Sequence, residues 1–195
     1  MSDSGGKAKT IYFNGIVVGE VEAIGDDSVD IEVARKLLNE KGLLKPISQQ
    51  DQMFRQAVSF ATTSAYLYKK DLSSAPRNQF SLVPFVVNSA FGIELYLKTL
   101  GHVHGVKLTG HELLKLYDSL PPAARDAIDA MVPTCAAQRG LSLPLSIRDC
   151  ISELNNAFIE WRYVYERDPS ATVRVQEMIF VMQCLHEVCN AAQGT

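Results

Sequence analysis

The sequence is missing the signatures of several common chemistries. It has no glycine-rich loop that would cradle a phosphate, no nucleophile elbow around a serine and no H-E-x-x-H pair. P-loop nucleotide hydrolysis, serine-hydrolase chemistry and zinc proteolysis are therefore excluded at the level of motif. No two of its four cysteines, Cys135, Cys150, Cys184 and Cys189, stand in a C-x-x-C pattern. Three of them fall within expected helices among apolar neighbours, which reads as small buried hydrophobes in a reducing compartment.

Positive charge is also in short supply. Nineteen Lys and Arg stand against 22 Asp and Glu, a net charge of −3, so a broadly basic nucleic-acid coat is excluded and any RNA contact must be local. The opening MSDSGGKAK is polar and glycine-rich, with no apolar core of a signal peptide. The richest apolar stretches, Leu82 to Phe91 and Met178 to Met182, are interrupted by Pro84, Asn88 and Ser89 or are short. The expectation is a cytoplasmic protein without a membrane span and without a cofactor.

Strand signal is confined to Thr10–Ala23. There Ile11-Tyr12-Phe13 and Ile16-Val17-Val18 flank Asn14-Gly15, the pair that supplies the positive φ angles of a type I′ hairpin turn. A lone hairpin is marginal in water, so it is expected to pack on the helical body, with pairing across a dimer as the alternative. Everything else has helical period. The expected helices are Ser28 to Lys41, stopped by Gly42; Gln49 to Lys70; Val83 to Leu100, closed by Gly101; a short one ending near Leu120; one from Pro121-Pro122 to Val132, before Pro133; Ser146 to Arg167; and one from Thr172 onward. The intervals Ser73–Asn78 and Thr134–Pro144 read as loops. The domain plan is a disordered tail at 1–9, a hairpin plus helix at 10–45, and a helical domain at 46–195.

Two helices carry the strongest pattern. Val86, Ala90, Ile93, Leu97 and Leu100 form one seam, beside a stripe of Val87, Phe91, Glu94 and Lys98 that turns charged halfway. Ile147, Ile151, Leu154, Phe158, Trp161 and Tyr165 form the other, beside Asn155, Ile159, Arg162 and Glu166. Between them, Thr109-Gly110-His111-Glu112 reads as a capping box that places His111 in the first turn of a helix. A carboxylate beside an apolar seam needs a partner. The expected arrangement is a polar knot joining Glu94, Lys98, His111 and Arg162.

The three pieces SAFGIELYLKTLG, TGHELLKLYDSLP and FIEWRYVYE, in that order, resemble the HEPN family of small helical bundles from prokaryotic defence and toxin-antitoxin systems. The likeness covers about Gln49 to the C-terminus. It rests on Glu94 with Lys98, on Gly110 to Leu113, and on Arg162 with Tyr163. The resemblance implies an all-α, up-and-down bundle carrying an N-terminal β-hairpin, a homodimer, and either metal-independent ribonuclease activity or binding of RNA, a nucleotide or a partner protein without cleavage. The family's catalytic arginine corresponds to Arg162. Its histidine, four to six residues further on, has no counterpart, since Glu166, Arg167 and Asp168 stand there.

Each candidate has a plain structural role beside its chemical one. Arg162 and Glu166 are either an i,i+4 pair or a phosphate clamp with its partner, and Tyr163 either packs or stacks a base. His111 is either held by a carboxylate or serves as the general acid or base that the motif lacks. A metal site from His102, His104 and His111 is a third reading, poorly supplied with ligands. The expectation is a binding module with Glu94, Lys98, Arg162, Tyr163 and Glu166 in its pocket. A ribonuclease using Arg162 and His111 is the alternative.

Overall fold

A computed structural model describes residues 7–44, 47–142, 146–155, 157–163 and 174–193, apart from the side chains of Ile159, Arg162 and Gln193. The chain divides into two compact units, Met1–Ile47 and Ser48–Thr195. It is mostly helical, with one two-stranded antiparallel sheet at the N-terminal end.

The first unit is a hairpin of β1 (Lys7–Phe13) and β2 (Ile16–Ala23), followed by α1 (Asp27–Glu40). Asn14 at φ 51° and Gly15 at φ 80° make the expected turn, with Phe13 opposite Ile16. β1 starts at Lys7, earlier than Thr10, because Lys7 to Lys9 continue the ladder opposite Ala23 to Val21. The cap of α1 is Asp26, whose carboxylate accepts from the Ser28 and Val29 amides, so Ser28 lies inside the helix. The hairpin packs on α1 within this unit. Asp30 joins the two, accepting from the Ile24 amide at 2.8 Å and from Lys9 Nζ at 2.9 Å.

The second unit is built round α3 (Leu82–Val103), which packs against α2 (Gln49–Leu67), α4 (Leu113–Asp118), α7 (Ala157–Arg162) and α8 (Val175–Gln193). The predicted seam of α3 is wholly buried: Val86, Ala90, Ile93, Leu97 and Leu100 are all at 0% exposure. Each of the large ones contributes about 1.5–3 kcal/mol of burial free energy. Residues 79–103 are long and apolar enough to cross a membrane, and 61% of their most apolar window is buried within the protein.

Four expectations about the helices are corrected. Gly101 does not end α3. The helix runs on to Val103 and stops in a Schellman motif, with Gly105 at φ 74°, Val106 N–H on the Gly101 carbonyl and Gly105 N–H on that of His102. Pro133 does not end α5 (Pro122–Arg139), because Val132, Cys135 and Ala136 are buried on either side of it and that packing outweighs one lost hydrogen bond. The helix ends instead at Gly140, φ 64°, so 134–139 is helical and Cys135 lies in it.

The helix expected from Ser146 to Arg167 is divided into α6 (Ile147–Glu153) and α7. Its break at Leu154-Asn155 has a use. α4 begins at Leu113 with Glu112 at its cap position making no side-chain cap bond, and Asn155 supplies the acceptors instead. The Asn155 carbonyl takes the Leu113 amide at 3.3 Å, and its side-chain oxygen takes the Leu114 amide at 2.8 Å. The capping box expected at Thr109 and Glu112 therefore does not form. His111 precedes the helix and is not in its first turn.

Candidate functional site

Glu94 sits at the centre of the second unit, on the stripe of α3 that turns from apolar to charged. At 1% exposure its carboxylate must be satisfied internally. Lys98, one turn on, donates to Oε1 at 2.7 Å, and His111 Nδ1 lies 3.0 Å from Oε2 and 3.1 Å from Oε1. Because a carboxylate only accepts, Nδ1 carries the hydrogen, and in the neutral ring Nε2 is left with the lone pair. His111 itself is exposed, its side chain at 57% against 20% for Lys98. A buried carboxylate thus anchors, through Nδ1, an imidazole that is itself exposed.

The ring is fixed from a second side by aromatic packing. Phe60 of α2 meets Phe91 of α3 edge-on at 4.7 Å between centroids, Phe91 stacks with Phe158 of α7 at 5.3 Å, and Phe158 stacks with His111 at 6.1 Å. Phe158 was read from the sequence as a seam residue only. It also forms the connection between the His111 loop and α7, the helix that carries Arg162 and is followed by Tyr163.

Of the expected knot, Glu94, Lys98 and His111 come together. The Arg162 side chain, Tyr165, Glu166, Arg167, Asp168 and Thr172 lie outside the described residues. Tyr163 is 42% exposed. Among the described residues no three His, Cys, Asp or Glu side chains group so as to hold a metal ion, and His111 is committed to Glu94.

Two further sites escaped the sequence reading. A cavity of about 440 Å³ opens where the loop after α3 folds back toward α2, and Lys98, His102 and Lys107 line it. Gly105, which carries the Schellman turn, is its one local signal. A smaller cavity of about 250 Å³ lies among α2, α3 and α8, where Tyr96 Oη and His186 Nδ1 are 3.0 Å apart. Burial pushes the Tyr96 hydroxyl well above its ordinary pKa, so it stays protonated. A tyrosine and a histidine 90 residues apart give no pattern in sequence.

No family model, curated protein or solved structure matches this chain.

Proposed function

We propose that the protein is a HEPN-like, homodimeric binding module that takes RNA or a nucleotide on the face formed by His111, Arg162 and Tyr163, without strong catalysis. One observation supports it above the others. Glu94 and Phe158 hold an exposed imidazole in place, and Phe158 belongs to the same short helix as Arg162. A side chain already held in place at the surface favours binding because its ordering cost falls within folding. An arginine suits the phosphate and an exposed tyrosine the base. The chain's net charge of −3 keeps such binding local.

A second reading is favoured by the Glu94–His111 pair itself. A histidine oriented through Nδ1 by a carboxylate is the arrangement of a general base. In that reading His111 Nε2 takes the proton of an RNA 2′-hydroxyl, whose oxygen attacks phosphorus. The P–O5′ bond breaks, the 5′-oxygen leaves as a hydroxyl with a proton from water, a 2′,3′-cyclic phosphate remains, and Arg162 balances charge on the phosphoryl oxygens.

Mixed single-stranded RNA incubated with the wild type, Arg162→Ala and His111→Ala separates the two. The binding reading expects retention of intact RNA by the wild type and weaker retention by Arg162→Ala. Cleavage that vanishes in both variants replaces it with the ribonuclease, and no retention at low salt discards both. Light scattering tests the dimer, and a monomer at micromolar concentration removes that part of the proposal.

A further inference from the structure

The cavity beside Lys98 adjoins the His111 site through Lys98, whose partner Glu94 also holds His111, but the rest of its lining is its own. Its wall is built rather than fortuitous. The Schellman turn at Gly105 reverses the chain, and Leu108 then lies over Gly101 so closely that a Cβ there would stand 2.7 Å from its Cγ. This close approach fixes residues 102–108 against the end of α3. Met53, Val106 and Leu108 give the cavity an apolar side, while Lys98, His102 and Lys107 give it a cationic one. Among the described residues no carboxylate lines it.

The two lysines differ in state. Lys98 spends one donor on Glu94 and has two N–H groups left. Lys107 is exposed and has no ion-pair partner among the described residues. Gln49, in the first turn of the 19-residue helix α2, adds an amide and brings the positive end of that helix to the same opening. An incoming group is thus met by a lysine without an ion-pair partner among the described residues, a lysine half-engaged with Glu94, an imidazole and a helix terminus.

We propose that this cavity binds a small phosphomonoester of nucleotide size, with its phosphoryl group between Lys98, His102 and Lys107 and its organic part on Met53, Val106 and Leu108. A phosphomonoester carries about −1.5 to −2 charges at neutral pH and offers three terminal oxygens, which suits three separated donors better than one carboxylate does. The size fits as well, since ligand cavities run from about 300 to 1,000 Å³. The inference goes beyond the RNA reading, because neither His102 nor Lys107 belongs to it.

Calorimetric titration of the full chain with adenosine 5′-monophosphate, with adenosine as the uncharged control, tests it. The nucleotide should bind with a Kd below about 1 mM and adenosine at least about tenfold more weakly. Lys107→Glu, on an exposed loop position, should weaken nucleotide binding by at least about tenfold while melting at the wild-type temperature. The proposal is overturned by absence of nucleotide binding, by equal affinity for adenosine, or by a Lys107→Glu affinity within about twofold of wild type. Lys107 distinguishes the two sites: nucleotide binding that Lys107→Glu weakens, without RNA retention, keeps this proposal and loses the RNA reading, whereas RNA retention with nucleotide binding that Lys107→Glu leaves unchanged loses only this one.

Discussion

Glu94 answers two donors with two oxygens from a position that water does not reach. Removing it strands Lys98 and His111, but both are partly exposed and regain water, so the loss is smaller than for a fully buried pair. Glu94→Ala should therefore destabilise the second unit by about 1–3 kcal/mol, and Glu94→Gln, which keeps the shape and one acceptor, by less. Urea denaturation measures both. A loss below about 0.5 kcal/mol for the alanine variant would mean that the carboxylate ties nothing together. Asp30 plays a comparable part in the first unit. The hydrogen bond from Lys9 is the main cause that holds its carboxyl below the usual 3.8, helped by the Ile24 amide. Its folded pKa is depressed, so the stabilisation it lends is complete above the unfolded value and is lost as pH falls through the folded one. The Ile24 amide, which donates to Asp30, should shift in an NMR titration with a midpoint below pH 3.8. A midpoint at or above 3.8 would show the pair to be open in solution.

At the scale of the element, the turn after α3 depends on one hydrogen atom. A Cβ on Gly101 would meet Leu108 Cγ at 2.7 Å and the Val106 carbonyl oxygen at 2.9 Å. The leucine can rotate, but the carbonyl is backbone held by the Schellman bonds. Gly101→Ala should gain helix propensity yet lose about 1–3 kcal/mol to overpacking, measured by thermal melting. A stabilised variant would show that the turn yields easily. This glycine also shows what sequence could reveal. Its type marked the end of α3 to within one turn, but a helix-terminating glycine and a close-contact glycine look alike until the neighbour across the fold is known. The seams of α3 and of α6 with α7 were legible because periodicity is a local property. So were the joining of Glu94, Lys98 and His111, since a carboxylate on a buried stripe demands partners nearby. The break at Asn155 was not, although Asn155-Asn156 is a weak turn signal, because what selects it is a pair of amides on α4 more than 40 residues away. Pro133 misled for the converse reason: burial of its neighbours outweighed its local veto.

The two units differ in how much each encloses, and this separates their stabilities. In the first unit Ala23 and Asp30 are the buried residues among those described, while Tyr12, Ile16, Val17, Ile24 and Ile31 are each more than half exposed. The second encloses the whole hydrophobic cluster, including Cys135, Cys150, Cys184 and Cys189. Burial raises the pKa of all four thiols, which removes the reactive thiolate as well as access to it. The sole tryptophan, Trp161, packs against the same cluster. Thiol labelling and tryptophan fluorescence therefore both report on the second unit, and the Ile24 amide reports on the first. A two-stranded hairpin with one helix and almost no interior is marginal by itself, so it should open at lower denaturant than a bundle of this size. In a urea series, labelling of the four cysteines should coincide with the Trp161 transition, and loss of Ile24 amide protection should come clearly before it. Coincidence of all three signals would mean that the chain unfolds as one cooperative body. The hairpin would then owe its stability to contacts beyond its own unit, whether with the helical unit or with a second copy of the chain.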